Sequence, residues 1–155
     1  MHISARVDYG VRALLELAER SGNEHRLVKG DVIAEAQSVP VKFLEAILRD
    51  LRIHGILESR RGIEGGYRLA RNADEISLAD VVRALDGPLA AIRGERPEHL
   101  EYAGSAQHLR DVWVAARVAI RNVLEGVTLG QVVRGELPAP ITELLSAPGA
   151  WERRN

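Results

Sequence analysis

Between residues 43 and 51 the apolar side chains Phe43, Leu44, Ile47, Leu48 and Leu51 recur at helical period. Within about fifteen residues the chain then changes to two short strand-like runs around a glycine-bearing tip. This switch of period constrains the fold more than any other feature. Two shorter helical patterns precede it. Residues 4–21 carry Val7, Val11, Leu14, Leu15 and Ala18 on one face, with Ser4 as a cap, and Ser21, Gly22 and Asn23 end the run. Residues 27–37 hold a second helical stretch whose apolar face is Val28, Val32, Ile33 and Ala36. Pro40 suits the first turn of the third helix, where its missing N–H costs nothing, and His54 and Gly55 stop that helix.

The strand-like runs are residues 56–60 and 67–70, joined across Arg61, Gly62, Ile63, Glu64, Gly65 and Gly66. Helix, helix, turn, helix and hairpin in this order describe a winged helix-turn-helix. The expected fold class is therefore mainly α with a small β-hairpin wing. The expected divisions are a winged helix-turn-helix domain over 1–87, a connecting loop over 88–104, a dimerisation helix region over 105–135 and a C-terminal tail over 136–155. Ser77 is expected to cap a helix over 78–85, with Asp80 as its capping-box partner. The longest helix is expected over 105–127, a short one over 128–134, and a weakly ordered end with one turn around 141–145, where Pro138, Pro140 and Pro148 interrupt the pattern.

The third helix carries the chemistry of recognition. A helix of this width fills a DNA major groove, and Lys42, Glu45, Arg49 and Arg52 lie off its apolar stripe, available to base edges and phosphates. In the hairpin tip, Arg60 and Arg61 supply positive charge, while Gly62, Gly65 and Gly66 allow close approach of the main chain to phosphate. An amphipathic helix bearing arginines is by itself usually a solvated surface helix. The conjunction of the pieces in order is what points to DNA. No strand leads through the glycines into a helix, which disfavours a nucleotide-binding loop. Net charge is -1, but residues 1–71 hold 12 Lys/Arg against 10 Asp/Glu, and phosphate attraction depends on local charge rather than the sum.

The motifs YGVRALLELA (9–18), FLE (43–45), LRDLR (48–52), RGIEGGYRL (61–69) and ISLADVVRAL (76–85) resemble those of the Rrf2 family of bacterial regulators, of the IscR, NsrR and CymR types. The resemblance implies a homodimer with crossing C-terminal helices, a recognition helix and wing on each half-site, and double-stranded DNA as the partner. It places Lys42, Phe43 and Glu45 near bases or backbone, and Arg61 at the wing tip that enters the minor groove. For Phe43 the helical stripe favours core packing. The stripe Leu109, Val112, Trp113, Ala116, Ile120, Val123 and Leu124 is expected to form the dimer interface, with Trp113 buried there.

Many relatives hold an iron–sulfur cluster on three cysteines after the helix ending near residue 85. This chain has no cysteine. A cluster is therefore not expected, and no cofactor or metal is assigned. The expected role of Asp8 is a first-turn charge at a helix N-terminus. His99, His108, Glu95, Glu98 and Glu101 read as a solvated, mixed-charge loop rather than a metal set, and His2, His25 and His54 as surface residues. The irregular segment over 89–108 is a candidate seat for a small-molecule effector; a partner protein is the other candidate input. No nucleophile motif or acid–base constellation suggests an enzyme. The expected function is a repressor acting as a homodimer on a pseudo-palindromic operator; the alternatives are a protein–protein adaptor built on a winged helix and a regulator controlled by a partner enzyme. There is no apolar h-region at the N-terminus and no apolar run of membrane-spanning length, so the expected location is the cytoplasm.

Overall fold

The computed structural model describes residues 2–21 and 26–152. Seven α-helices, a two-stranded antiparallel hairpin and three short 3₁₀ segments make up the described elements. Helix α1 (Ala5–Ser21) begins where the N–H of Val7 donates to the Ser4 hydroxyl at 3.1 Å, and Asp8 sits in its first turn. Gly22 and Asn23, expected to end the helix, and His25 lie outside the described residues.

Helix α2 (Gly30–Gln37) starts three residues later than its apolar pattern suggested. Residues 27–29 are not helical. Val28 forms an isolated antiparallel bridge with Tyr67. The apolar Val28 fits a strand as well as a helix, and a pairing with a residue distant in sequence decided between them.

Helix α3 (Val41–Ile53) follows a turn in which Ser38 adopts a left-handed conformation at φ 52°. The Ser38 N–H donates to the carbonyls of Ala34 and Glu35, and the Val39 N–H to that of Ala34 at 2.9 Å, closing the end of α2. Pro40 caps α3 rather than entering its first turn. Strands β1 (Leu57–Arg60) and β2 (Gly66–Leu69) pair with Leu57 opposite Leu69 and Arg60 opposite Gly66.

Helix α4 (Leu78–Asp86) opens on the expected capping box. The Asp80 N–H donates to the Ser77 hydroxyl at 3.1 Å, and the Ser77 N–H returns to Asp80 Oδ2 at 3.1 Å. Such a cap contributes about 1 kcal/mol. Residues 87–108 form turns with two short 3₁₀ segments, at Pro97–His99 and Gly104–Ala106. Helix α5 spans Leu109–Glu125, beginning four residues later than its periodicity predicted. Helix α6 (Leu129–Arg134) is capped by Thr128 and Gln131. The expected weakly ordered tail instead contains an eight-residue helix, α7 (Ala139–Ser146). Pro138 caps it and Pro140 occupies its first turn, where proline initiates a helix rather than interrupting one.

The core lies around α1. Leu14 and Leu17 of α1, Ile33 of α2, Leu44, Ile47, Leu48 and Leu51 of α3, and Val81 of α4 are fully buried together. Leu129 of α6 joins them, held by its N–H to the Ile76 carbonyl at 2.9 Å. Phe43 departs from the stripe that predicted core packing. It is 43% exposed and meets Tyr9 edge-on, with ring centroids 5.6 Å apart. The buried row of α3 is 44, 47, 48 and 51, and Phe43 lies one step outside it. No residue of α5 is buried.

Candidate nucleic-acid interface

The burial of Leu44, Ile47, Leu48 and Leu51 fixes which way α3 faces. Lys42, Glu45, Arg49 and Arg52 are all exposed on the opposite side. Helix α3 is anchored to α1 by an ion pair between Arg6 and Asp50. Arg49 leans on the same carboxylate, with Nε 3.3 Å from Asp50 Oδ1, but is itself 63% exposed. The His54 ring closes the helix end through Nδ1, 2.9 Å from the Asp50 carbonyl.

The wing is built on its glycines. At Gly65 an added Cβ would lie 2.2 Å from the Arg60 carbonyl oxygen, so no side chain fits inside the tip. Gly62 has φ 105°, which favours glycine, and its carbonyl accepts from the Gly65 N–H at 3.0 Å. Gly66 packs against the backbone of Val28, where a Cβ would come within 2.6 Å. The wing is thereby held to the segment preceding α2. Arg68 pairs across the strands with Glu58, Nη2 to Oε2 at 2.8 Å, so its charge is partly answered. Arg60 and Arg61 are exposed and make no ion pair among the described residues.

Between α3 and the wing runs an open cleft of about 480 Å³. Arg49 and Arg52 line it from the helix, Arg60 and Arg61 from the wing, and Lys29 from the segment before α2. Gly62, Gly65 and Gly66 form part of its wall. Five cations around one groove, with the exposed backbone of Gly62 at its edge, suit a phosphate chain, which guanidinium groups and main chain both approach. Of the residues singled out from the sequence, Arg49, Arg52, Arg60, Arg61 and the three glycines meet at this cleft. Lys42, Phe43 and Glu45 lie in the first turns of α3, outside the cleft. Lys29 was missed, because the residues around it read as helix; its place beside the wing follows from the Val28–Tyr67 bridge.

The donor set after α4 does not fit a cysteine-ligated cluster. The chain has no thiol, and among the described residues no group of three or more His, Cys, Asp or Glu side chains could hold a metal ion. Glu98 is instead engaged by Arg117, and His108 lies 3.9 Å from Asp111. Likewise, among the described residues no helix is long and apolar enough to cross a membrane.

A family described as "Rrf2: Iron-dependent Transcriptional regulator" matches residues 3–135. The chain is 45% identical over 144 residues to Rv1287 of Mycobacterium tuberculosis, named as a candidate HTH-type transcriptional regulator, covering 93% of this chain and 88% of the relative. It is 33% identical to the HTH-type transcriptional regulator CymR of Bacillus subtilis, covering 83% and 87%. The solved structure of B. subtilis CymR, described as a global cysteine regulator, superposes with a TM-score of 0.73 at 30% identity, over 87% of this chain and 98% of that one. A structure of T. potens IscR gives 0.69 at 29% identity, over 99% and 97%. With the family matching residues 3–135 and relatives 45% and 33% identical over most of its length, the chain belongs to the Rrf2 family of bacterial DNA-binding transcriptional regulators and is not an enzyme.

Proposed function

We propose that this regulator acts as a homodimeric repressor on a pseudo-palindromic operator, and does so without an iron–sulfur cluster. The observation that carries the reading is the cationic cleft between α3 and the wing, lined by Lys29, Arg49, Arg52, Arg60 and Arg61. In this reading α3 enters the major groove, presenting Lys42, Phe43, Glu45 and Arg49, while Arg61 reaches the neighbouring minor groove and the glycine tip rests on phosphate.

The dimer rests on a second observation. Helix α5 has 17 residues, none buried, and leaves Val112 56% and Trp113 36% exposed. An amphipathic helix with an uncovered apolar stripe gains by pairing with a second copy. The proposed interface is Leu109, Val112, Trp113, Ala116, Ile120, Val123 and Leu124. The absence of cysteine supports a trigger other than cluster chemistry.

Selection of the purified full-length protein on a random DNA library, at two salt concentrations, tests the function. The expected result is a two-fold symmetric site whose half-sites lie about one helical turn, roughly 34 Å, or a multiple of it apart. Affinity should fall steeply with salt. A folded dimer that recovers no site would overturn the reading and favour a protein partner for the winged helix.

A further inference from the structure

Helix α4, the loop over 87–98 and helix α5 surround a second open cavity, of about 490 Å³. Four arginines line it: Arg83 from α4, Arg96 from the loop, and Arg117 and Arg121 one turn apart on α5. Glu98 is its acidic lining residue. The positive charge is incompletely answered. Arg117 pairs with Glu98, while Arg83 and Arg121 share Glu125, the latter at 3.3 Å. Arg96 makes no ion pair among the described residues. Four guanidinium groups thus face two carboxylates.

The most enclosed of these arginines also carries a donor that no acceptor meets. The Arg117 side chain is only 18% exposed, and its Nε is buried with no hydrogen-bond acceptor among the described residues. Buried donors are ordinarily satisfied, and an unmet one on a charged group is costly. A ligand oxygen would remove that cost. The loop itself is held in an uncommon conformation. Ile92 and Glu95 exchange backbone hydrogen bonds at 2.9 and 3.0 Å around Arg93 and Gly94, whose φ angles are 54° and 82°. Ala90 also has φ 54°, so two of the three positive-φ non-glycine residues described lie in this one loop. Strain of this kind concentrates at ligand sites and switches.

Guanidinium groups match carboxylate and phosphate oxygens in a planar, two-point geometry, and the cavity volume is that of a small-molecule site. We propose that this cavity is the effector site of the regulator, and that it takes a small organic anion bearing at least two negative charges as carboxylate or phosphate. The effector role rests on the DNA-binding reading above. Helix α4, which carries Arg83, packs against both α1 and α3, so a ligand that draws Arg83 toward Arg96 and Arg117 acts on the support of the recognition helix.

Isothermal titration calorimetry of the full-length protein with citrate and, separately, with pyrophosphate tests the site, against sodium chloride of matched ionic strength. Saturable binding of at least one of them is expected, with Kd below about 1 mM and one site per protomer. Citrate alone would identify a polycarboxylate, pyrophosphate alone a phosphate compound. Arg96→Gln and Arg121→Gln should each weaken binding about tenfold, the effect of one lost charge-assisted hydrogen bond. Arg110→Gln, on α5 but outside the cavity, should leave it unchanged. No saturation with either anion, or equal binding by the cavity variants, would overturn the site. The bound anion should also shift affinity for the selected operator by at least about fivefold; anion binding without that shift would overturn the effector role. Recovery of no operator with or without anion would bring down the effector role together with the DNA-binding reading, and leaves the calorimetric result standing as a separate finding.

Discussion

Val28 and Tyr67 exchange both of their backbone hydrogen bonds: the Val28 N–H donates to the Tyr67 carbonyl at 2.9 Å, and the Tyr67 N–H to the Val28 carbonyl at 2.7 Å. This bridge adds a third, one-residue rung to the wing and fixes the hairpin to the segment before α2. Gly66, at φ 151°, lies against that rung with room for no Cβ. Gly66→Ala should therefore lower stability by about 1–3 kcal/mol through overpacking against main chain that cannot give way. Chemical denaturation measures the loss, and DNA affinity should fall with it. A fully stable Gly66→Ala protein would mean that the wing is not held here.

Arg61 is exposed at the tip and unpaired among the described residues, so its removal costs the fold little. Arg61→Ala should leave the melting temperature unchanged. Operator affinity should drop by about tenfold, and the slope of log affinity against log salt should decrease by about 1, as for one cation withdrawn from the DNA. Unchanged affinity and slope at physiological salt would remove Arg61 from the interface.

Trp113 is 36% exposed within its own chain, so its contribution is expected in the dimer rather than in the protomer core. Trp113→Ala should weaken dimerisation by about 2 kcal/mol or more, roughly thirtyfold in the dimer constant, as for a central aromatic anchor. Sedimentation across a concentration series would measure it. A dimer unaffected by the change would place the interface elsewhere.

Glu16 is a buried carboxylate, 8% exposed, which ties α1 to the end of α2. Its hydrogen bond from Arg20 holds its pKa below the ordinary 4.5; burial opposes this, and the Gln37 amide, 2.7 Å away, assists. A depressed carboxylate pKa contributes stability that is complete above the ordinary value and is lost as pH falls through the lowered one. Denaturation midpoints should fall in that acid window, and Glu16→Gln should flatten the fall while lowering stability near neutral pH. An acid profile identical in the variant would assign the loss to other carboxylates.

Operator binding should be indifferent to iron chelation, oxygen and nitric oxide, since the chain has no thiolate to hold a cluster. Titrations in each condition should agree within about twofold, below the effects expected of a coupled ligand. A clear loss on nitric oxide exposure would require a metal centre built from other ligands.

Much of this protein was determined locally, and so was legible in the sequence. The Ser77–Asp80 capping box, the period of α1 and α3, and the glycine tip between β1 and β2 are all set within a few residues, where backbone geometry and short-range hydrogen bonds decide. The proline-bearing α7 is also locally encoded: Pro138 and Pro140 interrupt an apolar pattern, yet proline equally suits a helix start, and the pattern by itself does not choose between the two. Other features were decided by tertiary contact. Val28 became strand because Tyr67 supplied hydrogen-bond partners, and Phe43 stayed outside the core because the row from Leu44 to Leu51 filled it. Arg83, Arg96, Arg117 and Arg121 surround one cavity only because α5 folds back beside α4. Apolar period tells which side of an element is buried, but only the packing of distant elements determines which charges end up together, because that depends on where each helix axis comes to rest against the others.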